Sequence, residues 1–135
     1  MVVEKLSSTH RDLLKQLEAS TVTAIFLEPS GQWLSIDFTS NVGDVSVLLK
    51  LFNPSLFKFS RTLDDEGIFV VGRVSLTPFH DGGRDILDSL GYDFKNERGY
   101  TVSYPNRALW HFHLEGDICI DVVCENYELL NAVRS

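Results

Sequence analysis

The sequence predicts an α+β fold: a mostly antiparallel sheet of five to seven strands with two helices packed on one face. Three observations lead there. Segments rich in β-branched and aromatic residues follow one another in blocks instead of alternating with helices. Pro, Gly and Asn turn residues separate them at short intervals. Helical spacing of apolar residues occurs in only two stretches. The 135 residues suit one domain, 1–135, long enough to bury roughly two-thirds of its unfolded surface without a disulfide or metal staple.

The first helix is expected from Thr9 to about Ser20. Thr9 and Asp12 form a Thr-x-x-Asp start, and Leu13, Leu14 and Leu17 follow at helical spacing, with Leu6 upstream as a staple partner. "TVTAIFLE" and "WLSIDFTS" make a hairpin around the turn "PSGQ", where Pro29 presets one angle and Gly31 permits a positive one. In the second of these strands Leu34, Ile36 and Phe38 face one way, and Ser35, Asp37 and Thr39 the other. After the turn "NVGD", "VSVLLKLF" is a third strand, broken at Asn53-Pro54 and resumed in "SLFKFSRT". "IFVVGRVSLTPF" is a long strand in which Gly72 marks a bulge or a close backbone neighbour. A second helix is expected in "GRDILDSLGY", on the stripe Ile86, Leu87 and Leu90, with Gly91 as its stop. "YTVSYPN" is a short edge strand, 110–124 a hairpin, and "NYELLNAVRS" a short helix or a frayed tail.

Composition excludes several function classes. The opening "MVVEKLSSTHRDLLKQLEAS" is charged at short intervals, and no stretch reaches the roughly 18 apolar residues of a membrane span, so a cytoplasmic location is expected. Cys119 and Cys124 lie five apart on one strand and point to opposite faces, which makes them free thiols. The net charge of −7 is uneven: residues 1–60 carry −1 and residues 61–135 carry −6. Such a surface repels phosphate backbones and anionic lipid, so neither nucleic acid nor membrane is an expected partner, whereas a basic protein is.

The stretch "WHFHLEGDICIDVVC" concentrates the reactive groups. A three-residue turn "EGD", with Leu114 opposite Ile118, places Trp110, Phe112, Leu114, Ile118, Ile120 and Val122 on one apolar face. The other face then gathers His111, His113, Cys119 and Asp121, pairing His113 with Cys119 and His111 with Asp121. Two imidazoles, a thiolate and a carboxylate are a zinc ligand set. Flat pleated faces rarely converge on one point, so a hydrogen-bonded polar face is the preferred reading. No metal or other cofactor is assigned, and these four are the residues that would hold one. "HDGGRD" lacks the lysine and spacing of a phosphate loop and reads as a turn capped by Asp81. "LDDEG" does not continue as a calcium loop and reads as a solvated turn.

In size, charge and its final segment "LEGDICIDVVCENYEL" the chain resembles the immunity proteins of bacterial polymorphic toxin systems, and other bacterial proteins of similar build. The resemblance implies a binding protein, without catalytic residues of its own, that blocks a cognate toxin. Capture of a basic toxin domain would then fall to the acidic later half, through Asp64, Asp65, Glu66, Asp81, Asp85 and Asp88, with Trp33 as an aromatic anchor. The alternatives are a metal- or small-ligand-binding enzyme using the 110–124 hairpin, and a structural homodimer.

Overall fold

The structure is a computed structural model that describes residues 8–40, 45–61, 69–79, 98 and 109–133. These residues form one helix, α1 (Ser8–Gln16), and eight strands: β1 (Thr21–Leu27), β2 (Trp33–Thr39), β3 (Val45–Phe52), β4 (Leu56–Arg61), β5 (Phe69–Phe79), β6 (Leu109–Gly116), β7 (Ile118–Cys124) and β8 (Asn126–Val133). All neighbours are antiparallel, in the order β4-β7-β6-β5-β1-β2-β3-β8. The expectation of two helices on five to seven strands is therefore corrected: the described residues form a sheet of eight strands with a single short helix. The helix expected in 83–92 and the edge strand expected in 100–106 lie outside the described residues.

The eighth strand comes from "NYELLNAV", expected as a helix or tail. Its alternation is completed by partners far away in sequence. Tyr127 and Leu129 face inward opposite Leu51 and Leu49, while Glu128 and Leu130 stand opposite Lys50 and Leu48 on the outer side. An amphipathic segment of this length takes whichever period its partners offer, and β3 offers a full ladder.

Two four-stranded halves, β1-β2-β3-β8 and β4-β7-β6-β5, are joined at two places. At one, β1 and β5 share only Thr21↔Val70 and Val22↔Phe69, extended by Ala19 N–H to Val71 C=O at 2.8 Å and Val71 N–H to Ser20 C=O at 2.9 Å. At the other, β3 runs into β4 and β7 into β8 through a shared corner. The ladder continues through it from Phe52↔Asn126 to Leu56↔Val123, with one more residue on the β3–β4 side. Asn53 supplies the bend with φ 50°, a left-handed conformation that Asn tolerates. Ser55 N–H donates to Val123 C=O at 2.7 Å and Glu125 N–H to Phe52 C=O at 3.0 Å. Strands that pass between sheets at such corners let the two inner faces close on one core.

That core is a single cluster. Leu34, Ile36 and Phe38 of β2 are fully buried, as the alternation predicted, and belong to one core cluster with Phe112, Leu114 and Ile120 of the other half. Each such side chain contributes roughly 1.5–3 kcal/mol by leaving water. Helix α1 adds Leu14 and Leu17 to the cluster. It begins one residue before the Thr9 expected to cap it, and ends at Gln16, with Ala19 at φ 67° and Ser20 turning the chain into β1. His10 Nδ1 lies 2.7 Å from the Tyr127 hydroxyl, and Trp110 packs edge-on against the same tyrosine, which ties the helix to β8.

Gly72 does sit at a bulge in β5, between Val71 and Arg73. The β1–β2 hairpin closes through a turn in which Gly31, at φ 76°, donates to Glu28 C=O at 2.7 Å. The Glu28 carboxylate accepts from Ser30 N–H, Ser30 O–H and Gln32 N–H, and these donors hold its pKa below the ordinary value.

Candidate functional site

Two features of the outer surface carry chemistry. The first is on β6 and β7. The observed register pairs Leu114 with Ile120, Phe112 with Val122 and His113 with Asp121. It differs by two residues from the expected one, so the faces are as expected but the partners are not. The turn is centred on Asp117, because Asp117 N–H reaches Val70 C=O at 3.1 Å and its carboxylate accepts from Val70 N–H at 2.9 Å. Anchoring to β5 thus decides a register that the hairpin's own sequence left to the turn.

The shift changes the cluster. Cys119 now stands opposite Glu115 and is exposed, away from the position expected beside His113. Asp121 instead comes between the two histidines. Its Oδ1 lies 2.8 Å from His111 Nε2 and 2.7 Å from His113 Nδ1. The second ring nitrogen of His113, Nε2, faces Glu115 Oε2 at 3.4 Å, and Glu115 is followed at 3.7 Å by the exposed Arg73. Side-chain exposure is only 16% for His111 and 18% for Asp121, against 31% for His113. Toward the corner this face carries buried Val123, opposite His111; toward the turn it opens to solvent at Cys119.

Charges shift as this geometry requires. Burial draws the His113 pKa down, but hydrogen bonds to Asp121 and Glu115, with their negative charge, outweigh it and raise the value. Burial pushes Asp121 up, and the hydrogen bonds from His111 and His113 outweigh it and lower the value. His111, His113 and Asp121 each offer a ligand atom within 4.8 Å of the others.

The second feature lies on the outer face of β1-β2-β3-β8. Trp33, expected as an anchor, packs against Phe26 with the rings tilted by 42° and their centroids 5.2 Å apart. The Lys50 ammonium sits 4.5 Å from the Trp33 ring and 5.4 Å from that of Phe52. Phe26 and Leu130 are about half exposed, at 50% and 45%. Leu130 also lines a groove on this half, together with Thr23, Asp37, Thr39, Ser46, Val47 and Leu48.

Of the expected acidic residues, Asp64, Asp65, Glu66, Asp81, Asp85 and Asp88 lie outside the described residues. Glu115 was missed, although its place two residues after His113 puts it on the same strand face. Phe26, Lys50 and Phe52 were missed for a different reason. The register of β1 slips between Val22 and Ala24, and no signal in "TVTAIFLE" shows which way Phe26 turns after the slip. No helix among the described residues is long and apolar enough to cross a membrane. No family model matches the chain, and no curated protein matches it in sequence.

Proposed function

We propose that the protein is a non-catalytic binding module for a basic protein domain, acting as an immunity protein does on its toxin, and that the outer face of β1-β2-β3-β8 is where the partner docks. The observation that carries this reading is the Phe26–Trp33–Lys50–Phe52 cluster on an open sheet face. Packed aromatic rings supply large contact area with few rotors to immobilise, which is the composition of interface anchors. Asp37 and Glu128, on the same face, offer carboxylates to a cationic rim. The net charge of −7 draws a basic partner from a distance and accelerates encounter.

The test has two stages. A tagged chain captures its partner from the lysate of its own organism, and the partner is then purified and titrated back. Trp33→Ala and Phe26→Ser are expected to weaken the reconstituted complex by roughly tenfold or more, as truncating an anchor does. Raising salt is expected to slow association steeply while changing dissociation little. Affinity indifferent to both substitutions would rule out this face, and a salt-independent association rate would rule out the steering.

A further inference from the structure

We propose that His111, His113 and Asp121 form a binding site for a divalent first-row transition ion, Zn2+ above all. This inference is independent of the docking reading, since the two sites lie on different half-sheets.

The donor set comes first. Two imidazole nitrogens and one carboxylate oxygen suit Zn2+, Ni2+ or Cu2+, whereas Ca2+ and Mg2+ call for oxygen throughout. The geometry follows. Tetrahedral zinc with bonds of about 2.0–2.2 Å holds its donor atoms about 3.3–3.5 Å apart. Asp121 Oδ1 is 2.8 Å and 2.7 Å from the two ring nitrogens, and no two of the three ligand atoms exceed 4.8 Å. Small rotations of the side chains bring the trio to the required spacing, and the β6–β7 ladder fixes their backbones. Three protein ligands leave a fourth position for water or a partner's side chain.

The hydrogen-bond pattern is the second, independent argument. Both ring nitrogens converge on the same carboxylate oxygen, so each must carry a proton to bond there. A neutral His113 protonated on Nδ1 then presents a bare Nε2 to the Glu115 carboxylate, lone pair against negative charge. A second proton on the ring removes that conflict, and so does a bound cation. The cation takes the place of the two protons facing Asp121: the His111 proton moves to its Nδ1 and the His113 proton to Nε2, where it donates to Glu115, leaving His111 Nε2 and His113 Nδ1 as ligands. A carboxylate behind a ligating histidine is the usual outer partner of such sites. Lys58 of β4 stands opposite Asp121 in the ladder, a cationic residue on the same strand face that disfavours a second cation there.

The experiment is calorimetric titration of Zn2+ into the full-length, untagged, chelator-stripped chain, with thermal denaturation in parallel. Binding of one equivalent per chain and a rise in Tm are expected. His111→Ala and Asp121→Ala are expected to weaken binding at least tenfold, Glu115→Gln by less, and Lys58→Gln to tighten it. His10→Ala and Cys119→Ser leave it unchanged. No uptake by the folded wild type overturns the proposal, as does uptake undiminished in His111→Ala. Should a variant lose its fold, imidazole 15N spectra of the wild type decide: Zn2+ must shift the His111 and His113 rings, and shifts confined to His10 or His80 overturn the assignment.

Discussion

Gly116→Ala probes the contact that sets the β6–β7 register. A Cβ built on Gly116 would lie 2.5 Å from Val70 O, 2.7 Å from Gly72 N and 3.3 Å from Val71 C. Ordinary contact begins near 3.4 Å, so the first is short by about 0.9 Å and the second by about 0.7 Å. All three atoms are backbone, so no side chain can rotate away. Either the β5 bulge or the β6–β7 turn must move, and the turn is held there by Asp117 N–H to Val70 C=O and Val70 N–H to the Asp117 carboxylate. Overpacking of this kind costs roughly 1–3 kcal/mol, and weakening one of these two hydrogen bonds adds about 1 kcal/mol. The sum is about 2–4 kcal/mol, read as a fall in the urea midpoint, or in Tm by roughly 5–15 °C for a chain of this size. Gly31→Ala is the control: its Cβ meets nothing within 4 Å, but φ is +76°, so only the left-handed strain of about 1–2 kcal/mol applies. A Gly116→Ala protein within about 0.5 kcal/mol of wild type would refute the close approach and the register reasoning built on it.

Further outcomes follow from the same structure. Burial pushes the Cys124 thiol up to about 12, while Cys119 is exposed, so a thiol reagent should modify one cysteine in the native protein and both in denaturant; two reactive native thiols would contradict the corner packing. Phe112→Ala, at a fully buried position, should cost about 3–5 kcal/mol, and Phe59→Ala, 43% exposed, far less; equal midpoints for the two would contradict the two-sheet core. In metal-free protein, Asp121, depressed below its ordinary 3.8, contributes stability present above that pH and lost as acid protonates it in the folded state. His113, raised above 6.5, contributes stability present below 6.5 and lost as pH rises through its folded value. With Glu115, His111 and Lys58 as the ionisable neighbours, stability should therefore peak between about pH 4 and 6.5 and flatten in Asp121→Asn; an unchanged pH profile in that variant would contradict the bridge.

What the sequence determined by itself is what a period of two determines: which side of each strand is apolar. Leu34, Ile36 and Phe38 inside, Trp33 outside, the polar face with His111, His113 and Asp121, and the opposite sides of Cys119 and Cys124 all follow from alternation. The bulge at Gly72 and the break at Asn53-Pro54 were legible too, because glycine and proline limit the backbone locally. What only the tertiary structure decided is pairing. Whether "NYELLNAV" becomes helix or strand depends on β3, some eighty residues earlier, offering an open ladder. Whether His113 meets Cys119 or Asp121 depends on Asp117 reaching Val70 across the sheet. Both choices keep the same faces buried, so hydrophobic pattern is indifferent to them. Long-range backbone hydrogen bonds distinguish them, and these join residues far apart in the chain.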